Sequence, residues 1–180
     1  MKSQIVLPAL VLVSVLILSA AGTQAAGNPV QTVTQVDLNR YLGKWYEIAA
    51  FPKSFEKNCM GSMAEYFLEK NGDLRVVNTC HLKTLNGKLK QARGTARVVD
   101  PATNAKLKVI FFPPFAGDYW ILDLGPDYEY AMVGTPDRKS LWFLSRTPIL
   151  DSQALGHMLE KARDQGFDIS RLKMTLQIGG

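Results

Sequence analysis

Two cysteines, Cys59 and Cys80, are the residues in this chain best suited to covalent chemistry, and they are the only two. A free thiol with a lowered pKa is a nucleophile; two thiols in an oxidising compartment become a structural disulfide. The two histidines, His81 and His157, have no Cys, His or carboxylate at a metal-ligand spacing, so no metal site is expected. Asp123 and Asp127 lie close together, yet Gly125-Pro126 between them reads as a turn rather than as paired acid-base catalysis. There is no G-x-S-x-G elbow, no phosphate-binding loop and no dinucleotide fingerprint. No catalytic residue and no cofactor is expected on these grounds.

Binding is the alternative to chemistry, and the stretch GKWYEIAAFPKSFEKN, residues 43–58, raises it. A glycine precedes two large aromatics, Glu47 sits among apolar residues, and Phe51-Pro52 breaks the run. Glu47 shares strand parity with Trp45, so an inward carboxylate there needs a partner such as a tyrosine or water, unless strand twist leaves it hydrated.

The elements that position these residues can be read from the punctuation. Residues 1–25 have the form of a secretory signal peptide: Lys2, an apolar run from Ile5 to Leu18, then small residues suited to cleavage between Ala25 and Ala26. The run is near the lower edge for a span, which leaves an uncleaved anchor as the alternative. Residues 26–180 form one domain, with no linker or repeat. The net charge of +5 is scattered and never forms the basic block of a nucleic-acid arm, so no nucleic-acid partner is expected.

Short β-branched and aromatic runs near 44–51, 61–69, 74–83, 88–99, 106–112, 117–124, 128–134 and 140–146 predict an all-β domain of eight strands. Hairpins joined in order suggest an antiparallel up-and-down β-barrel, because closure removes exposed edges. Leu155, Met158, Leu159 and Ala162 then repeat at helical spacing behind Asp151, with Gly166 as the stop, which predicts one C-terminal α-helix packed outside the sheet. RLKMTLQ, residues 171–177, can add a short last strand. A two-residue Asn71-Gly72 turn pairs residue 70 with 73, which sets Cys80 opposite Met63 and leaves Cys59 four positions away. A disulfide therefore requires a bulge or a chain that curls back.

An eight-stranded barrel is either filled by side chains or holds one small ligand. Ala49, Ala64, Ala131 and Gly117 argue for space and Tyr66, Phe111, Tyr119 and Trp142 for an apolar lining, but a packed core uses much the same residues.

Gly43, Trp45 and Tyr46 resemble the G-x-W-Y signature of the lipocalin first strand. Asp127-Tyr128 with Tyr130 resembles the second lipocalin motif, and Arg146 in LWFLSRTP the third. Across nearly the whole mature chain the likeness is to the bacterial lipocalin and apolipoprotein D group. The resemblance implies a calyx whose closed end is formed by Gly43, Trp45, Tyr46, Asp127, Tyr128 and Arg146, with the arginine stacked across the indole. It implies ligand contacts at Tyr66, Phe111, Tyr119, Trp142 and Leu144, with Ala49 and Phe51 from the first strand. The implied ligand is a fatty acid, a lysophospholipid or another hydrophobic small molecule, held without turnover. Transient membrane contact and a homodimer across the open end are consistent with the family. Many bacterial members carry an acylated cysteine at the end of the signal peptide. Ala-Gly-Thr-Gln-Ala-Ala stands there in this chain, which implies a soluble periplasmic or secreted protein. Two other readings stay open: a barrel that is filled and serves as an interaction or stress-protection module, and a thiol-dependent isomerase if Cys59 or Cys80 is free.

Overall fold

A computed structural model describes residues 28–177; the expected signal peptide and its cleavage site lie outside the described residues. The strands are β1 (Gly43–Ala50), β2 (Cys59–Leu68), β3 (Leu74–Leu82), β4 (Leu89–Val98), β5 (Lys106–Phe112), β6 (Phe115–Leu124), β7 (Tyr130–Gly134), β8 (Leu141–Ser145) and the two-residue β9 (Lys173–Met174). β2 through β8 pair antiparallel in chain order, and β1 joins β8 to β2, so the eight long strands close into a barrel. The turn signals fell where the hairpins needed them because each joins strands adjacent in sequence.

β1 changes neighbour midway. Its first half pairs with β2 from Gly43 to Tyr46, and its second half pairs with β9 at Ala49 and Ala50. The C-terminal segment thus occupies the edge that β2 leaves. Thr175 N–H donates to Ile48 O at 2.9 Å, and Gly61 N–H donates to Leu176 O at 2.9 Å, so the tail bridges both strands.

The β2–β3 hairpin differs from the two-residue expectation. Leu68 pairs with Leu74, Glu69 N–H donates to Asp73 O, and Gly72 N–H donates back to Glu69 O, which makes a three-residue loop of Lys70, Asn71 and Gly72. Gly61 then forms a bulge between Met60 and Met63, at a φ of +62° that suits glycine. Each feature shifts the register by one residue toward Cys59. The Cα atoms of Cys59 and Cys80 end 5.4 Å apart, and the two are joined by a disulfide. The thiol-isomerase alternative is thereby left without a nucleophile.

Helix α2 (Ser152–Asp164) follows the barrel. Asp151 Oδ1 accepts from the amides of Gln153 and Ala154 at 2.8 and 3.1 Å, satisfying two of the donors that a helix start leaves free. Met158 and Ala162 are fully buried against the outer faces of Ile48, Leu122, Met132, Leu141 and Phe143. A second apolar cluster fills the closed end inside the barrel around Trp45, Leu74, Leu107, Ile121 and Val133. A four-residue helix, α1 (Leu38–Tyr41), crosses that end behind an Asp37 cap. It is too short for periodicity to reveal; Asp37 before Leu38 was the available signal. Among the described residues no helix is long and apolar enough to cross a membrane.

Candidate functional site

The barrel is open above the closed end and encloses a cavity of about 640 Å³. Its wall is built from inward-facing residues of successive strands: Ala64 and Tyr66 on β2, Val76 and Asn78 on β3, Ala92 on β4, Val109 and Phe111 on β5, Gly117 and Tyr119 on β6, Trp142 and Leu144 on β8. The alternation follows from the two-residue strand period. Small side chains at Ala64, Ala92 and Gly117 leave the volume that larger ones would fill.

Three tyrosines meet deep in the barrel. Tyr66 Oη donates to Tyr119 Oη at 2.8 Å, and the Tyr41 and Tyr119 hydroxyls are 2.7 Å apart. Burial pushes the Tyr66 hydroxyl up to about 12, against the opposing effect of the bond to Tyr119, and raises Tyr41 and Tyr119 well above the usual phenol range. These groups are neutral hydrogen-bonding groups at any physiological pH.

Nearer the mouth, two of the carboxyls that line the cavity, Glu47 and Glu56, have raised pKa values. Glu47 Oε1 accepts from Thr175 Oγ1 at 2.5 Å, and burial raises its pKa against that bond. Glu56, in a 3-10 turn after β1 (Ser54–Glu56), is pushed up to about 8, first by burial and then by the Glu47 charge; Lys53, Trp142 and Lys90 act in the opposite direction. Lys53 Nζ donates to Ser140 Oγ at 2.5 Å and stands 5.7 Å from the Trp142 ring centre. Lys90 Nζ donates to Phe55 O at 2.8 Å. The mouth therefore offers ammonium groups beside Glu56, whose carboxyl holds its proton near neutrality, and above Glu47, whose pKa burial raises. Among the described residues, no group of three His, Cys, Asp or Glu side chains gathers as a metal site would.

The closed end is locked by Arg146. Its guanidinium lies 3.8 Å from the centre of the fully buried Trp45 ring and donates to four backbone carbonyls: Tyr128, Leu42, Lys44 and Arg40. Trp45 Nε1 donates to Tyr41 O at 2.8 Å. Gly43 carries a φ of +85°, and its α-carbon passes beside the Arg146 guanidinium. Tyr128 Oη accepts from the Asp37 amide at 2.8 Å, and the Arg40 guanidinium covers the Tyr128 ring. Asp127 is exposed, 3.9 Å from Arg40.

Residues 36–177 match the family model described as a lipocalin-like domain. The chain belongs to the lipocalin family. It is 41% identical over 156 residues to temperature-induced lipocalin-1 of Arabidopsis thaliana, covering 82% of each chain. It is 38% identical over 164 residues to the outer membrane lipoprotein Blc of Vibrio cholerae, covering 91% of this chain and 94% of that one. Apolipoprotein D of Mus musculus is 36% identical over 153 residues, covering 78% and 77%. Among solved structures, insecticyanin of the tobacco hornworm Manduca sexta matches with a TM-score of 0.67 at 22% identity, covering 85% of this chain and 87% of that one, a likeness of fold.

In this lipocalin the sequence-predicted lining residues divide into two groups. Tyr66, Phe111, Tyr119, Trp142 and Leu144 all face the cavity. Ala49 and Phe51 do not: both lie in the outer cluster under α2, with Phe51 against Phe167 at a ring separation of 6.3 Å. The cause is a bulge in β1, where Glu47 pairs with Leu144 but Ala49 pairs with Phe143, so two residues of β1 oppose one step of β8. Parity counted from Trp45 holds as far as Glu47 and fails beyond it. Glu47 does face inward, but its partner is Thr175 of the tail and not a tyrosine. Sequence reasoning missed Lys53, Glu56 and Asn78. The first two sit in a segment read only as a break, where their spacing of three was the available signal. Asn78 was a polar residue at an inward position of a predicted strand.

Proposed function

We propose that this lipocalin binds a hydrophobic or amphipathic small molecule, of the fatty-acid or lysophospholipid kind, and carries or stores it in the cell envelope without chemical turnover. The observation that carries this reading is the barrel cavity of about 640 Å³, within the ~300–1,000 Å³ usual for small-molecule sites. Its walls are mainly apolar, and each methylene transferred from water onto them contributes about 0.8 kcal/mol. A cavity of this size speaks against a filled barrel serving only as an interaction module. Lys53 and Lys90 at the mouth suit an anionic headgroup, which keeps the acyl chain inside.

The disulfide supports an oxidising compartment, and the likeness to proteins named outer membrane lipoproteins supports the envelope. We take this chain to be soluble there, in the periplasm or secreted. Phe55, Phe112 and Phe115 ring the mouth at 61, 75 and 77% exposure, a surface suited to transient contact with a membrane or to a second copy of the chain.

Native mass spectrometry of the purified mature protein, followed by organic extraction, tests the reading. A stoichiometric acyl-chain mass is expected. Delipidated protein that refuses every fatty acid and lysophospholipid offered would overturn it.

A further inference from the structure

Two hydrogen bonds join the three hydroxyls of Tyr66, Tyr119 and Tyr41, so one of the three protons is left over. Tyr66 donates to Tyr119, which puts the spare proton on Tyr119 or Tyr41 whichever way their shared bond runs. Among the described residues none of the three hydroxyls forms a further hydrogen bond. A second polar group nearby is also unsatisfied. Asn78 Oδ1 is buried in the cavity wall and is the one buried side-chain nitrogen or oxygen, among the described residues, without a hydrogen-bond partner.

The two features belong to one region of the barrel. Tyr66 pairs with Val76, and Asn78 is the next inward residue along β3, opposite Ala64. One such step is about 6–7 Å along a strand. Asn78 thus stands between the tyrosine cluster and the mouth, while the surfaces beside it, Val76, Ala92, Val109 and Leu144, are apolar. A plain acyl chain covers these surfaces but leaves both a buried donor and a buried acceptor unpaired, the costly case for polar groups. A hydroxyl on the chain accepts the spare tyrosine proton or donates to Asn78 Oδ1. A carbonyl can only accept, from the tyrosine or from a reoriented Asn78 amide.

We propose that Asn78 and the Tyr66–Tyr119–Tyr41 hydroxyl chain form an internal polar subsite that selects oxygenated hydrophobic ligands, hydroxylated chains first and oxo-bearing chains second, over plain saturated ones. The subsite rests on the carrier reading above and names its ligand class. Trp142 and the mouth groups contribute affinity common to both kinds of ligand; Asn78 and Tyr119 discriminate between them.

The test uses delipidated full-length mature protein. Stearic acid and its mid-chain hydroxy and oxo derivatives each displace a fluorescent fatty-acid probe. The wild type is expected to bind a hydroxystearate about tenfold more tightly than stearate, the worth of one well-made buried hydrogen bond. The preference should peak at one position of the hydroxyl along the chain, since the subsite has a fixed depth. Asn78→Leu and Tyr119→Phe should each remove most of the preference, read within each variant as the ratio of hydroxystearate to stearate affinity. Asn78→Leu keeps the branched heavy-atom skeleton of the side chain and Tyr119→Phe removes a single oxygen, and either alone reports if the other fails to fold. Equal affinities in the wild type, as expected if ordered water simply satisfies these groups, would overturn the proposal, as would a preference that survives both substitutions. If none of the chains displaces the probe, the carrier reading falls and the subsite falls with it.

Discussion

Replacing Arg146 separates the architecture of this lipocalin from its binding function, because Arg146 touches only the closed end. Its guanidinium makes four hydrogen bonds to backbone carbonyls and one stack on Trp45. At about 1 kcal/mol net for each bond and about 1 kcal/mol for the stack, complete removal costs at most about 5 kcal/mol. The side chain is only partly buried, so water can reach some of the freed carbonyls, and Arg146→Ala should cost about 3–5 kcal/mol. Arg146→Lys keeps the charge over the indole but has a single nitrogen where the fork had three, so it should cost about 2 kcal/mol. For a domain of this size each kcal/mol lowers Tm by roughly 2–4 °C, which places the alanine variant roughly 10 °C below wild type. Urea denaturation followed by tryptophan fluorescence gives the free energies. The lysine variant should bind fatty acid with wild-type affinity, because the stack lies at the far end of the barrel from the mouth. An alanine variant within 1 kcal/mol of wild type would refute the reasoning, and so would a lysine variant that folds normally but no longer binds.

Glu56, held at about 8 in the fold, retains its proton while the unfolded chain releases it near the usual carboxylate value. Stability should therefore fall as pH rises from about 4.5 to 8, by up to about 1.4 kcal/mol per pH unit for this group, with Glu47 acting in the same direction. Urea midpoints across that range check the slope, and Glu56→Gln should flatten it; a wild type equally stable at both ends would contradict the burial argument. Replacing both Cys59 and Cys80 by alanine opens a loop spanning 21 positions and should cost about 3 kcal/mol, read from the same denaturation curves. Trp45→Ala, which empties the place of a fully buried indole, should cost about 3–5 kcal/mol or prevent folding.

The eight long strands and the outer helix were legible in the sequence because each depends on local signals, whereas the closed-end residues were legible only through the resemblance to lipocalins. Two-residue alternation marks the strands, turn residues mark the hairpins, and Asp151 and Gly166 bracket a 3.6-residue stripe. The misplacements share one physical origin. A β-bulge adds a residue without changing composition, so the extra step in β1 turned Ala49 and Phe51 outward, while the one at Gly61, with the three-residue loop, brought Cys59 within reach of Cys80. The tail was visible as a possible strand, but its seat between β1 and β2 depends on where β2 leaves β1, a nonlocal fact. Glu56 and Lys53 were not assigned to the site because they enter the cavity from an irregular turn, where their spacing of three is a weak signal and no strand period assigns a face.

The central claim is that ligand occupies the inside of the barrel, and blocking that space tests it most directly. Ala92 lines the cavity wall on β4, away from the closed end, so Ala92→Trp fills volume that is empty without disturbing the Arg146 clamp. Isothermal titration of delipidated wild type with a long-chain fatty acid should give one site per chain, and the tryptophan variant, equally well folded, should lose at least tenfold in affinity. A variant that binds as tightly as wild type would place the ligand on the surface and contradict the account.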